Sequence, residues 1–273
     1  MTPPPALHLP ARSARPRWHR TALRTISALA LREMATRYGR TPGGYLWAVL
    51  QPLGMIVVLA YAFSLLQKSP ALGTSFLLFK ATGVLILRQF IVLSGVTGHA
   101  LTFSRSLLLY PRVTWFDAVL ARFALNLLVL IGVMGVILGG ILLHDGTASF
   151  LHWPSLILAV ALTAAMGLSL GVLNSYLFHR FEVWQQAWSI LTAPLFIISG
   201  VILLYEDMPQ AAQGVLWFNP VLHLTGLMRA AFYPVYRPDY ISLVYVGLWC
   251  LVPLVAGMML MRLYHRALLT RLN

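Results

Sequence analysis

The chain has 273 residues, of which 59% are hydrophobic and only 10% charged, and its mean hydropathy is +0.77. An average soluble domain carries about 25% charged residues, so a soluble globular protein is excluded. The net charge is +13, with 20 Lys and Arg against 7 Asp and Glu. A nucleic-acid module would need a solvated basic face. Here the apolar residues fall into blocks long enough to cross a bilayer, so the charge concerns membrane orientation and nucleic acid is excluded as a partner.

The first 20 residues, MTPPPALHLPARSARPRWHR, combine Pro and Arg and lack the apolar core of about 7–15 residues that a cleavable signal needs. They are expected to form a mobile cytoplasmic arm, with residues 21–273 making one transmembrane domain. Leu23, Ile26, Ala30, Met34 and Tyr38 then recur at helical spacing, opposite Arg24, Thr25, Arg32 and Thr36. This describes an amphipathic helix lying in the membrane interface; a soluble helix packed on a partner is the alternative.

The fold class is an all-α integral membrane protein. Six segments of about 20 mostly apolar residues are predicted as spans, at approximately 46–66, 76–98, 119–143, 153–178, 187–204 and 241–261. Eight Arg precede the first span. Arg105 and Arg112 fall in the second connection, Arg180 in the fourth, and Arg262, Arg266 and Arg271 in the tail. All of these share one side, against Lys68, Arg229 and Arg237 on the other, so the excess of basic residues places both termini in the cytoplasm.

Within span two, Arg88 sits near the middle and Lys80 lies two turns nearer the outer surface. A mid-bilayer Arg costs about 2.5–3.5 kcal/mol on insertion scales, so Arg88 should face a bundle interior or an aqueous path. Lys80 and Arg88 are candidates for a cationic substrate channel. The alternative is an Arg bonded to backbone carbonyls, with Lys80 snorkelling outward. Gly135-x-x-x-Gly139 and Gly167-x-x-x-Gly171 are expected to mark close helix packing within the protomer.

In the second connection, Arg105 could make charge-assisted bonds, Leu107, Leu108 and Leu109 could be buried, and Pro111 stops a helix. A short lever seated in a cleft of a partner is expected. Between spans five and six, at about 208–234, two short apolar helices are expected as re-entrant or outer gate elements. Trp217, Asn219, Pro220 and Leu224 are their candidate gate residues, with Asn219 as N-cap and Pro220 at the first helical position.

Several chemistries lack their residues. No acid falls in the middle of a predicted span, which removes the usual carrier of coupled protons or sodium. The histidines form no i, i+4 pair, and Cys250 is the single cysteine, so no metal site and no disulfide framework are expected. No Gly-rich loop ends in Gly-Lys-Ser/Thr, so no cofactor is expected in this chain and it is not read as an enzyme.

LREMATRYGRTPGGYLWAVLQPL, Leu31 to Leu53, resembles the stretch leading into the first span of the membrane subunits of ABC-type polysaccharide exporters. SRSLLLYPRV, Ser104 to Val113, and FNPVLHLTGLMR, Phe218 to Arg229, look similar to the same family. The resemblance covers essentially the whole chain, and within the family it is nearest to the capsular polysaccharide permease.

It implies a homodimer of six-span subunits in the bacterial inner membrane with two separate ATP-binding subunits, which hold the ATP and Mg. It further implies a lipid-linked polysaccharide substrate, expected to be acidic, and periplasmic copolymerase and outer-membrane export partners. Lys80 and Arg88 belong to no pattern of the family, so their role rests on the residues alone. An O-antigen, teichoic acid or multidrug permease, and at greater distance a membrane enzyme, are the alternatives. A neighbouring ATPase gene beside glycosyltransferase genes would separate them.

Overall fold

A computed structural model describes Ser27 and residues 43–105, 114–146 and 151–271. The expected arm at 1–20, the interface helix and the loop residues Leu107, Leu108, Leu109 and Pro111 lie outside the described residues. Every described element is helical. In chain order these are α1 (Gly44–Leu66), α2 (Phe76–Gly98), α3 (Ala100–Phe103), α4 (Trp115–Asp145), α5 (Trp153–Arg180), α6 (Trp184–Thr192), α7 (Leu195–Ile198), α8 (Gln210–Leu216), α9 (Pro220–Phe232) and α10 (Leu243–Arg271).

Local chemistry sets several boundaries. Ser75 caps α2 by accepting the Leu78 amide. Thr114 and Asp117 form a reciprocal capping box at the start of α4, which Gly146 ends in a left-handed conformation with φ 62°. Pro154 occupies the first turn of α5, where a missing N–H leaves no bond unmade.

Five helices are long and apolar enough to cross a membrane: α1, α2, α4, α5 and α10. α2 is largely buried whereas α1 and α10 are largely exposed, so α2 is the central strut. It packs chiefly on α5, which packs in turn on α10. A Cβ added at Gly167 would come within 2.8 Å of Leu93 Cβ, so the second small-residue motif does mark close packing inside the protomer.

The first small-residue motif does not. A Cβ at Gly135 or Gly139 would meet nothing within 4 Å, because α4 follows α2 and diverges from α5. The expected continuous span at 187–204 is also interrupted. It consists of α6 and α7, separated at Ala193 and Pro194, and the chain turns at Gly200 with φ 74°. Proline inside a helix removes a bond and clashes with the carbonyl four residues back, and a left-handed turn favours glycine.

One end of the bundle gathers the start of α5 and the end of α9, where the His152 amide donates to the Ala231 carbonyl at 2.9 Å. The start of α10 joins them through the Ser242 amide and His223. At the opposite end Thr102 meets His179. The broken segment runs between the two levels, from Trp184, which donates to Asn174, to Ile202 beside Lys80.

Candidate functional site

A helix that stops inside a bundle leaves carbonyls without partners, and burial makes each one costly. The interrupted segment strands such groups from Ile198 onward, and side chains from α9 and α2 meet them. Asn219 Nδ2 donates to the Ile198 carbonyl at 3.1 Å and to Ser199 Oγ at 2.9 Å. Thr225 Oγ1 donates to the Ser199 carbonyl at 2.7 Å. Arg229 Nη2 donates to the Gly200 carbonyl, and Lys80 Nζ to the Ile202 carbonyl at 2.8 Å.

The two cations have little solvent, with Arg229 1% and Lys80 2% exposed. They share Phe79, whose ring centroid lies 4.1 Å from Arg229 Cζ and 5.1 Å from Lys80 Nζ, and Phe63 of α1 stands 3.6 Å from the same ammonium. Carbonyl dipoles and ring faces therefore stand around these charges. The arrangement is a clamp that fixes the break against α2 and α9.

Arg88 is placed differently. It is partly exposed, and its Nη2 donates to Gln51 Oε1 of α1 at 3.1 Å. Lys80 is enclosed at the clamp while Arg88 stands at the α1–α2 seam, so the two are not brought to one site. The chemistry open to Arg88 is electrostatic attraction of an anion, with a polar amide beside it.

Around α9 the candidate gate residues sit in an aromatic lattice. Asn219 caps the helix by accepting the Val221 amide at 3.0 Å, with Pro220 in the first turn. Trp217 Nε1 donates to the Tyr240 carbonyl at 3.0 Å, and its ring lies 5.0 Å from Tyr245 and 5.3 Å from His223. His223 is fully buried. Its Nε2 donates to the Trp217 carbonyl at 2.8 Å and its Nδ1 accepts the Ser242 amide at 3.2 Å, which requires the neutral ring. Burial accordingly holds its pKa below the usual 6.5. Leu224 is also fully buried.

At the opposite end, Arg105 is exposed just after α3. Just before it, Thr102 Oγ1 and His179 Nε2 lie 2.9 Å apart. Arg122 Nη1 donates to the His99 carbonyl at 3.1 Å and its Cζ lies 4.2 Å from the Phe103 ring. These contacts tie α3, which leads into the connection bearing Arg105, to α4 and α5.

Sequence reasoning missed Arg229, counted only as an outside charge, and also Phe79, Thr225 and His223. The usable signal was the spacing of Asn219, Thr225 and Arg229, which sets polar groups along a short apolar helix beside an apolar run containing Pro194 and Gly200. Among the described residues no group of three His, Cys, Asp or Glu could hold a metal ion.

A family model described as ABC-2 type transporter matches residues 24–233. The chain is 28% identical over 246 residues to the polysialic acid transport protein KpsM of Escherichia coli, covering 90% of this chain and 95% of that protein. It is 28% identical over 242 residues to the capsule polysaccharide export inner-membrane protein CtrC of Neisseria meningitidis, covering 86% and 89%. To the capsule polysaccharide export inner-membrane protein BexB of Haemophilus influenzae it is 23% identical over 252 residues, covering 90% and 92%.

Proposed function

The chain belongs to the ABC-2 type transporter family, a family of membrane subunits that are not themselves catalytic, and from this we propose that it is the permease of an ATP-driven capsular polysaccharide exporter. The observation that carries the reading is the likeness to capsule and polysialic acid export proteins along nearly their whole length. Two copies form the pore, and two separate ATP-binding subunits bind ATP and Mg and supply the work. Both termini face the cytoplasm, as the excess of Arg at that end favours, and α8 and α9 face the periplasm.

The substrate is a lipid-linked acidic glycan. A polymer that must slide needs weak, hydrated contacts; two unit charges 4 Å apart in water attract by only about 1 kcal/mol. Arg88, partly exposed and paired with a neutral amide, suits that role. Lys80, held on Ile202, reaches the polymer only when the clamp opens. Trp217, Asn219, Pro220 and Leu224 form the outer gate, and a periplasmic copolymerase and an outer-membrane export protein receive the chain.

Residues 104–113 seat in the ATPase, Arg105 by charge, Leu107, Leu108 and Leu109 by burial, and Pro111 as the stop. Co-purification tests this arrangement. The wild-type permease should retain a cognate ATP-binding subunit, and Arg105→Glu should lose it while inserting normally. Retention of the ATPase and of export by Arg105→Glu would refute the seat, and failure of the wild type to bind any such subunit would refute the function.

A further inference from the structure

The divergence of α4 from α5 leaves a groove of about 600 Å³ whose wall is almost wholly apolar. Met134, Gly135, Leu138 and Gly139 line it from α4, and Leu156 and Val160 from α5. Gly135 and Gly139 are open to it rather than covered, since a Cβ at either would meet no atom within 4 Å. Along α5 the groove runs from Trp153 to Ala164. That is about 16 Å of helix, close to the roughly 15 Å depth of one leaflet's hydrocarbon.

At its mouth, across Leu151, lies a second cavity of about 590 Å³ whose apolar lining is interrupted by polar and charged side chains. His152, Ser155, Tyr236, Arg237 and Asp239 contribute to it. His152 Nδ1 and Ser155 Oγ lie 2.8 Å apart. Arg237 and Asp239 are both exposed and bring one charge of each sign to the same cavity. Trp153, 62% exposed at the rim, has the amphipathic ring expected at headgroup level.

We infer that the two cavities form one binding site for a zwitterionic phospholipid of the leaflet at the α9 end. The α4–α5 groove takes one acyl chain. Arg237 attracts the headgroup phosphate and Asp239 the ammonium of phosphatidylethanolamine. A groove open to lipid, with a dry wall one leaflet deep, suits a hydrocarbon tail; the two charges at its mouth suit a headgroup that carries both signs. A bound tail fills the space that α4 leaves beside α5 and secures the start of α5, whose His152 amide is held by the Ala231 carbonyl. The site makes no use of transport activity, so it can fail without the proposed function failing.

The test uses the full chain with its ATP-binding partner in nanodiscs containing phosphatidylethanolamine that carries a diazirine on one acyl chain. Photolysis should label the segments 127–142 and 151–164 above the lipid-facing surfaces of α1 and α10. In Gly135→Leu/Gly139→Leu, which fills the groove from positions with open space, labelling there should fall by about tenfold or more, the equivalent of two methylenes kept out of apolar contact. Arg237→Gln/Asp239→Asn should remove the preference for phosphatidylethanolamine over a phosphatidylglycerol probe. Labelling no higher than on α1 and α10, or unchanged in the filled variant, would overturn the tail site. Equal labelling by both probes in the wild type would overturn the headgroup assignment. Disulfide formation between two copies through Gly139→Cys, in a Cys250→Ser background, would assign the groove to a second chain and overturn the proposal.

Discussion

Lys80 and Ile202, 122 positions apart in the chain, are joined by an ammonium-to-carbonyl hydrogen bond of 2.8 Å at the place where the helical segment after α5 has lost its own partners. Arg229 repeats the device two residues earlier, on Gly200, and Phe79 lies between the two cations.

The clamp predicts unequal losses. Arg229→Ala should lower stability of the inserted protein by about 1.5–3 kcal/mol, the range for hydrogen bonds to charged groups. Lys80→Met, which keeps an unbranched apolar stem but removes the ammonium from Ile202 and Phe63, should cost on the order of 1 kcal/mol. Thermal unfolding in detergent, normalised to membrane abundance, reads both. Two variants as stable as the wild type would mean that the break is held by something else.

Glycine substitutions separate the helix seams. A Cβ at Gly257 would come within 2.6 Å of the Leu173 amide nitrogen, in backbone that cannot yield cheaply. Gly257→Ala should therefore destabilise the α5–α10 pair by about 1–3 kcal/mol. Gly139→Ala adds a methyl in open space and should be neutral or gain up to about 1 kcal/mol through helix propensity. The same melting assay compares them, and equal effects would contradict the packing described.

His223 gives a pH dependence with a defined sign. Its folded pKa is depressed by burial, so the unfolded chain binds the proton more readily. Stability at the α9 end should be constant above the unfolded value of about 6.5 and fall as pH drops below it. The protonated ring cannot accept the Ser242 amide, and Trp217, Tyr240 and Tyr245 surround it with aromatic rings. Unfolding followed between pH 7.5 and 5.5 should show a smaller slope in His223→Gln, and identical slopes would remove His223 from the account.

The gate reading is tested by accessibility. Leu224 is fully buried, and Cys250 is the single native cysteine. In a Leu224→Cys/Cys250→Ser protein, an impermeant thiol reagent added on the periplasmic side should react slowly at rest and faster during ATP turnover. Equal rates would leave α9 as a fixed element of the bundle.

The sequence made some of this legible for physical reasons. Blocks of 20 apolar residues have few alternatives to crossing a bilayer, so α1, α2, α4, α5 and α10 could be read from composition. Asn219 followed by Pro220 announced a helix start. The interrupted segment was hidden because a hydropathy average over 187–204 is blind to the local effects of Pro194 and Gly200. The role of Arg229 was hidden because charge counting treats an outside Arg as a vote on orientation, whereas its partner is a carbonyl 29 positions away. Small residues at spacing four promise an approachable surface without naming what approaches. Gly167 meets Leu93, and Gly139 lines a groove.

The central claim is most directly tested by transport in proteoliposomes that contain the permease and its ATP-binding subunit, loaded on the cytoplasmic face with an acidic lipid-linked glycan. Glycan should reach the lumen only with ATP and both chains. Per inserted protein, Arg88→Ala should lower the rate, Arg88→Lys keep part of it, and Arg88→Glu block it, with assembly and basal ATP hydrolysis retained. ATP hydrolysis without any transfer of glycan by the wild-type complex would contradict the account, and transfer indifferent to the charge at position 88 would remove Arg88 from the path.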